Sequence, residues 1–221
     1  MPGEIAVIFD LDGTLIDNNP FHIKAWQEFY SKRNRTLTEE EYKEHFNGKT
    51  NTDVLAHIFT NTLSAQENNA YTIEKEDLYR RIYEPHIKPV KGLLTLLQQL
   101  QDAKIPMAIA TSGIKENIDY MFKHLDIKHF FKDVIYSKDI QKGKPDPEIY
   151  FITATRLNIP VNNCVVFEDS VAGIQSAKAA GMKVIAIATT HLPGELKSAD
   201  NLIYDYDDIS INEIFDLVKT S

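Results

Sequence analysis

The apolar run Ile5-Ala6-Val7-Ile8-Phe9 leads straight into Asp10-Leu11-Asp12-Gly13-Thr14-Leu15, and no other junction limits the possible folds of this chain as strongly. A short run of this kind, rich in branched residues and closed by a turn signal, reads as a buried parallel strand. Ligands of such sheets collect just beyond the carboxyl ends of the strands, so Asp10 and Asp12 point to an active site. Strand side chains alternate between faces, so two residues two apart can address one small ligand, and Gly13 lets the chain turn sharply after them. Two unpaired carboxylates repel each other, which implies a cation. Taken alone, Asp12-Gly13 reads more simply as an ordinary turn that Asp10 caps; the rest of the chain decides the matter.

After this strand the pattern turns helical and polar until about Glu84. Phe21, Ala25, Trp26, Phe29 and Tyr30 recur at helical spacing, followed by Val54, Leu55, Ile58, Phe59 and Leu63, and then Leu78, Ile82 and Tyr83. Amphipathic helices packed on one another in this way form a small inserted bundle. Pro85, Pro89 and Gly92 mark the return. Short apolar runs then alternate with helices: Ile105 to Ala110, Val134 to Tyr136, Val165 to Phe167, Val184 to Ala188 and a weaker one at Leu202 to Tyr204. The intervening helices are expected at Leu93 to Gln101, Asn117 to His124 and Ile174 to Gly181. Alternation of this kind predicts an α/β fold with a mostly parallel sheet and helices on both faces.

The 221 residues suffice for one or two domains with a substantial core, and 43% hydrophobic with 25% charged residues is the composition of an ordinary globular protein. No apolar stretch is long enough to span a bilayer, and no secretory signal pattern opens the sequence, so the cytoplasm is the expected compartment. Cys164 is the single cysteine and lies within an apolar run, which predicts a buried small hydrophobe. A net charge of −8 argues against nucleic acid or an anionic membrane as partner. An anionic substrate must then be attracted locally, by a metal ion or a placed lysine.

Three more strand ends carry polar residues suited to one reaction. Thr111-Ser112-Gly113 follows the second strand and offers a hydroxyl and backbone amides at a helix start, an anion site if it is not merely an N-cap. Lys142-Gly143-Lys144-Pro145-Asp146-Pro147 follows the third. There Asp146 suits an N-cap, Pro147 the first helical position, and Pro145 biases Lys144 to extended backbone. Phe167-Glu168-Asp169-Ser170 closes the fourth and places two more acids where the sheet opens. Independent caps rarely add up to the parts of a phosphoryl-transfer site.

Asp10-Leu11-Asp12-Gly13-Thr14, Thr111, Lys144 and Glu168-Asp169, in this order, resemble the four motifs of the haloacid dehalogenase-like (HAD) superfamily. The helical insertion between the first two motifs is similar to the branch that includes β-phosphoglucomutase and many sugar-phosphate phosphatases. The resemblance implies a HAD-type Rossmann-like core, residues 1–17 and 88–221, with a helical cap, residues 18–87, that selects the substrate. It implies that Asp10 attacks phosphorus, that Asp12 is the acid and base, and that Thr111, Ser112, Gly113 and Lys144 hold the phosphoryl oxygens, Lys144 also offsetting the crowding of Asp10 against Asp169. Mg²⁺ is the implied cofactor, with Asp10, the Asp12 carbonyl and Asp169 as ligands and Glu168 as ligand or support.

In the cap, His22 shares the stripe of Trp26 and Phe29 and is either a core histidine or, by resemblance, a substrate contact. The mutases of this branch carry a cap arginine that grips a second phosphate. Here Asn51 stands at that position, with Lys49 close by as a candidate substitute cation and Lys75 aligned with another cap lysine of that branch. An amide cannot replace a guanidinium's charge and forked donors. The expected function is therefore a phosphatase acting on a small phosphorylated metabolite, most simply a sugar phosphate, as a monomer or weak homo-oligomer. The alternatives are a sugar phosphomutase and a non-catalytic phosphometabolite-binding protein.

Overall fold

In the computed structural model of the protein, residues 5–60 and 62–219 are described; the outermost residues of the two expected core segments, 1–4 and 220–221, lie outside them. Six strands, β1 (Ala6–Phe9), β2 (Met107–Ala110), β3 (Asp133–Ile135), β4 (Cys164–Glu168), β5 (Lys183–Ile187) and β6 (Asn201–Ile203), form one sheet in the order β3-β2-β1-β4-β5-β6. All five pairings are parallel. The order reverses between β1 and β4, and the crevice beyond the strand ends at that point is where α/β sheets bind ligands.

Every residue of β1, β2 and β4 is buried, and alternate residues feed two separate cores. Val7, Phe9, Ile109, Val165 and Phe167 face α5 (Leu93–Asp102), α6 (Lys115–His124) and α9 (Ile211–Lys219). Ala6, Ile8, Ala110, Cys164 and Val166 face α7 (Glu148–Leu157) and α8 (Val171–Ala179). Phe9 pairs in register with Phe167, and their rings stack with centroids 5.1 Å apart. One residue on, Asp10 and Glu168 emerge side by side on the α7/α8 face.

Between β1 and α5 the chain forms α1 (Asn19–Ser31), α2 (Glu39–His45), α3 (Asn51–Phe59) and α4 (Ala65–Tyr83). Trp26, Phe29, Tyr30, Val54, Leu55, Leu78 and Tyr83 are buried among them. The sequence pattern did not single out α2, whose only buried residue is Tyr42. Leu63 was expected in the stripe of α3 but lies beyond it, because Thr60 turns left-handed at φ 52° and ends the helix.

Boundaries elsewhere shift by one to three residues. Pro106 precedes β2 instead of lying in it, and Pro147 is the N-cap of α7, with Asp146 Oδ1 accepting from the Glu148 amide at 3.0 Å. Among the described residues no helix is long and apolar enough to cross a membrane.

The first turn of α8 rests directly on Glu168. Ser170 caps it, accepting from the Gly173 amide at 3.0 Å, and a Cβ on Gly173 would lie 1.8 Å from Glu168 Oε1. Gly173→Ala should therefore destabilise the fold by about 1–3 kcal/mol, the usual cost of overpacking, read as a lower urea midpoint in equilibrium unfolding.

Candidate active site

Strand β1 stops at Phe9, so the pleat does not carry both acids. Asp10 is the first residue past the strand, and Asp12 is brought to the same cavity by the turn that follows, where Gly13 sits at φ 78°. The turn also brings Gly13 against β4's end: a Cβ there would meet Asp169 Oδ2 at 2.2 Å. Asp10, Asp12, Thr111, Ser112, Gly113 and Asp169 line one cavity together with His22, Lys49, Asn51 and Lys75. All of the residues singled out in the sequence meet here except Glu168 and Lys144, which stand directly behind it.

Lys144 is 2% exposed, and its ammonium donates to Asp10 Oδ1 at 2.6 Å, Glu168 Oε1 at 2.5 Å and the Ala110 carbonyl at 3.2 Å. An ammonium has three protons, and all three are used. In this geometry its bonds fix Asp10 and balance the acids. Burial disfavours its charge, but Asp10 and Glu168 outweigh that and hold its pKa well above the usual lysine range.

Glu168 is likewise occupied. Oε1 also accepts from Tyr150 Oη at 2.9 Å, and Oε2 accepts from the Ser170 amide at 3.1 Å and hydroxyl at 3.0 Å. Its carboxylate is fully buried and faces away from the cavity, so of its two expected parts, ligand or support, the contacts favour support.

The remaining acids differ in character. Burial, with Glu168 and Asp12 adding repulsion that Lys144 only partly offsets, pushes Asp10 up to about 8. Burial and the charges of Glu168 and Asp10 raise Asp169 well above the carboxylate range. Burial also opposes the charge of Asp12, but His22 and Asn18 reverse the balance and hold its carboxyl below the usual value. Among the described residues, Lys144 is the one ammonium bonded within the group Asp10, Glu168 and Asp169, and a further cation placed there would favour the charged forms of Asp10 and Asp169. No three-residue His, Cys, Asp or Glu metal cluster occurs among the described residues. Asp10 and Asp169 are two carboxylates lining one cavity, oxygen donors of the kind that suits a small hard cation retaining waters.

Thr111 and Ser112 are not N-caps, since α6 begins at Lys115 after Ile114. Thr111 Oγ1 accepts from the Gly113 amide at 2.9 Å, so its own proton can be donated into the cavity. Ser112 Oγ donates to the Gly48 carbonyl at 3.0 Å, and Lys49 Nζ to the Lys144 carbonyl at 3.2 Å, so the inserted helices rest on the core loops.

His22 is no ordinary core histidine. Its ring stacks on Tyr79 with centroids 3.8 Å apart, Lys75 Nζ lies 2.7 Å from Nδ1, and Nε2 lies 3.4 Å from Asp12 Oδ1. An ammonium only donates, so Nδ1 accepts and the proton of the neutral ring sits on Nε2, facing Asp12.

Sequence reading missed Asn18 and Asn19. Asn18 stands at the N-cap of α1 yet makes no capping bond. Its side chain accepts from the Gly13 amide at 3.0 Å and donates to Asp12 Oδ1 at 2.5 Å, while Asn19 donates to Asp169 Oδ2 at 3.0 Å. An Asn-Asn pair before Pro20 is an ordinary helix-start signal, and nothing in its spacing separates this use from capping. Tyr150, Glu76 and Asn117 were missed too, because each reads as part of a regular helix.

The haloacid dehalogenase-like hydrolase family pattern matches residues 7–187. A 6-phosphogluconate phosphatase from Escherichia coli strain K12 is 32% identical over 184 residues, covering 81% of this chain and 80% of that one. The crystal structure of a HAD hydrolase, family IA, variant 3, from Entamoeba histolytica superposes with TM-score 0.87 at 35% identity, covering 97% of this chain and 99% of that one. A β-phosphoglucomutase from Clostridium difficile shares the fold, with TM-score 0.85 at 24% identity over 98% of both chains. The chain belongs to the haloacid dehalogenase-like hydrolase family. It is a hydrolase of phosphoric monoesters.

Replacing Lys144 by Met leaves Glu168 buried without its cation, and breaking a buried pair in this way should cost about 3–5 kcal/mol. Adding Glu168→Gln to Lys144→Met should recover part of the loss, so the two substitutions are non-additive in a denaturant double-mutant cycle.

Proposed function

We propose that the protein is a Mg²⁺-dependent phosphatase of a small phosphorylated metabolite, a sugar phosphate, working through an aspartyl-phosphate on Asp10. The observation that carries this reading is the convergence of Asp10, Asp12, Asp169 and the Thr111 hydroxyl on one cavity, with Lys144 fixing Asp10 from behind. The 6-phosphogluconate phosphatase relative supports the substrate class.

In this mechanism a carboxylate oxygen of Asp10 attacks phosphorus, the bond from phosphorus to the ester oxygen breaks, and the departing oxygen takes the proton of Asp12. The free site holds Asp12 ionised, and an arriving phosphate dianion opposes that charge and favours the acid form. In the second half, Asp12 takes a proton from water as the water oxygen attacks phosphorus, and the bond to Asp10 breaks to release phosphate. His22, with its Nε2 proton toward Asp12, steadies the carboxylate between the two transfers. Thr111 donates to a phosphoryl oxygen. Asp10, the Asp12 carbonyl and Asp169 would hold Mg²⁺, which when bound screens the approach of a carboxylate to an anionic phosphate.

Residues 18–87 act as a cap that excludes water and chooses the substrate, a role supported by the contacts of Gly48 and Lys49 with the core loops. The cavity beneath it measures about 60 Å³. At roughly 10–15 Å³ per water on this measure, that is room for a phosphate-sized group. Asn51, in place of an arginine, leaves hydrolysis favoured over the mutase reaction.

Asp10→Asn should reduce phosphate release from sugar monophosphates to background while the protein stays folded, because the swap is nearly isosteric and removes the nucleophile. Asp12→Asn should lose about 10²–10⁴-fold, the worth of acid–base help. Near-wild-type turnover in Asp10→Asn would overturn the covalent mechanism.

Mg²⁺ should raise the melting temperature and permit turnover, EDTA should reverse both, and Ca²⁺ should bind yet support turnover poorly. Equal activity in EDTA and Mg²⁺ sinks the metal assignment.

A further inference from the structure

Behind His22, on the side away from Asp12, the cavity is closed by a buried ion pair wrapped in amides. Lys75 Nζ donates to Glu76 Oε1 at 2.8 Å, Asn51 Nδ2 donates to the same oxygen at 2.8 Å, and Asn117 Nδ2 donates to Oε2 at 2.6 Å. Lys75 and Glu76 are each 2% exposed, and all four side chains line the cavity that holds Asp10 and Asp12. They come from three helices: Asn51 opens α3, Lys75 and Glu76 lie in α4, and Asn117 stands in the first turn of α6.

Burial disfavours the charge of Glu76, but Lys75, His22 and the bond from Asn117 outweigh it and hold its carboxyl below the usual range. The Lys75 charge is therefore answered inside the protein. Arg80, the nearest guanidinium of α4, donates to Asn117 Oδ1 at 2.8 Å and pairs with Asp77, and it does not line the cavity.

We infer that Glu76, clamped by Asn51 and Asn117, is a specificity-determining carboxylate that admits an uncharged, hydroxyl-bearing leaving group and rejects one carrying a second phosphate. The inference rests on the phosphatase reading of the Asp10 site and deepens it. A sugar hydroxyl both donates and accepts, and this wall offers both: carboxylate and amide oxygens as acceptors, and a Lys75 ammonium with three protons and two protein partners. A phosphate dianion has no proton to give Glu76, and the Lys75 ammonium that would otherwise attract it is already paired with Glu76, so the second phosphate meets an acceptor wall with no unpaired cation. Asn51 is thus more than a missing arginine. Its amide is spent on Glu76, and an arginine placed there would pair with Glu76 before it reached any phosphate.

The test is equilibrium binding by titration calorimetry to the Asp10→Asn protein in Mg²⁺, with glucose 6-phosphate and glucose 1,6-bisphosphate as probes on one carbon skeleton. The monophosphate should bind at least about 100-fold more tightly. Adding Glu76→Gln, which keeps the shape and removes the charge, should cut that preference about tenfold or more. Asn51→Arg alone should leave the preference in place, whereas Asn51→Arg with Glu76→Gln should invert it. Equal binding of the two probes, binding of neither, or a preference that Glu76→Gln leaves untouched overturns the inference, and the first two outcomes need no Glu76 variant to fold. The phosphatase reading is judged separately, by phosphate release from acetyl phosphate by the unsubstituted protein. Its absence defeats that reading whatever the calorimetry gives, and its presence with equal probe binding defeats only the role of Glu76.

Discussion

The ammonium of Lys144 between Asp10 and Glu168 is the contact on which the site depends. Parallel pairing of β1 with β4 sets Phe9 opposite Phe167, so the next residues, Asp10 and Glu168, must leave the sheet together on one face. Two carboxylates emerging side by side in a buried crevice cannot both stay charged without a cation. Lys144 reaches them from the connection between β3 and α7, with its third proton on the β2 carbonyl of Ala110. Tyr150 and Ser170 then complete the coordination of Glu168. A buried ion cluster of this kind is weak evidence for stability, since well-packed apolar residues often do as well. What it secures is position: Asp10 is held by an ammonium whose other two partners come from the ends of β4 and β2.

The inserted helices meet this centre through polar contacts. Ser112 donates to the Gly48 carbonyl, Lys49 to the Lys144 carbonyl, Asn19 to Asp169, and Asn47 meets His191 at 2.8 Å. The same contacts carry information. Asp12, His22, Lys75 and Glu76 form a continuous chain from the acid–base residue to the far wall of the cavity. The protonation state of one end and the occupancy of the other therefore bear on the same side chains.

The strands, their order in the chain and the helical insertion were legible in the sequence because each depends on local periodicity. Fully buried strands read as continuous apolar runs, and amphipathic helices read as stripes. The errors fell where local signals compete. The stripe from Val54 was extended past Thr60, and Pro147 was placed inside the helix it caps. The acids at the strand ends were also legible, since the fold puts its ligands there. The sheet order and the partners of each acid were not. Glu168 and Asp169 are adjacent in sequence and indistinguishable as residue types, yet strand parity sends one behind the site and the other into it.

What the sequence determined by itself, then, was the class of fold and the set of chemically competent residues, because apolar periodicity and motif order are properties of the chain. Which proton goes to which oxygen was decided only by tertiary structure. Lys144 spends all its donors on protein acceptors, Asn18 abandons its cap for Asp12, and Glu76 gathers Lys75, Asn51 and Asn117 from three helices. Burial is the physical reason. Once water is excluded, every donor must find an acceptor among neighbours that are distant in sequence, and that choice is fixed by the packing of whole elements rather than by any local pattern.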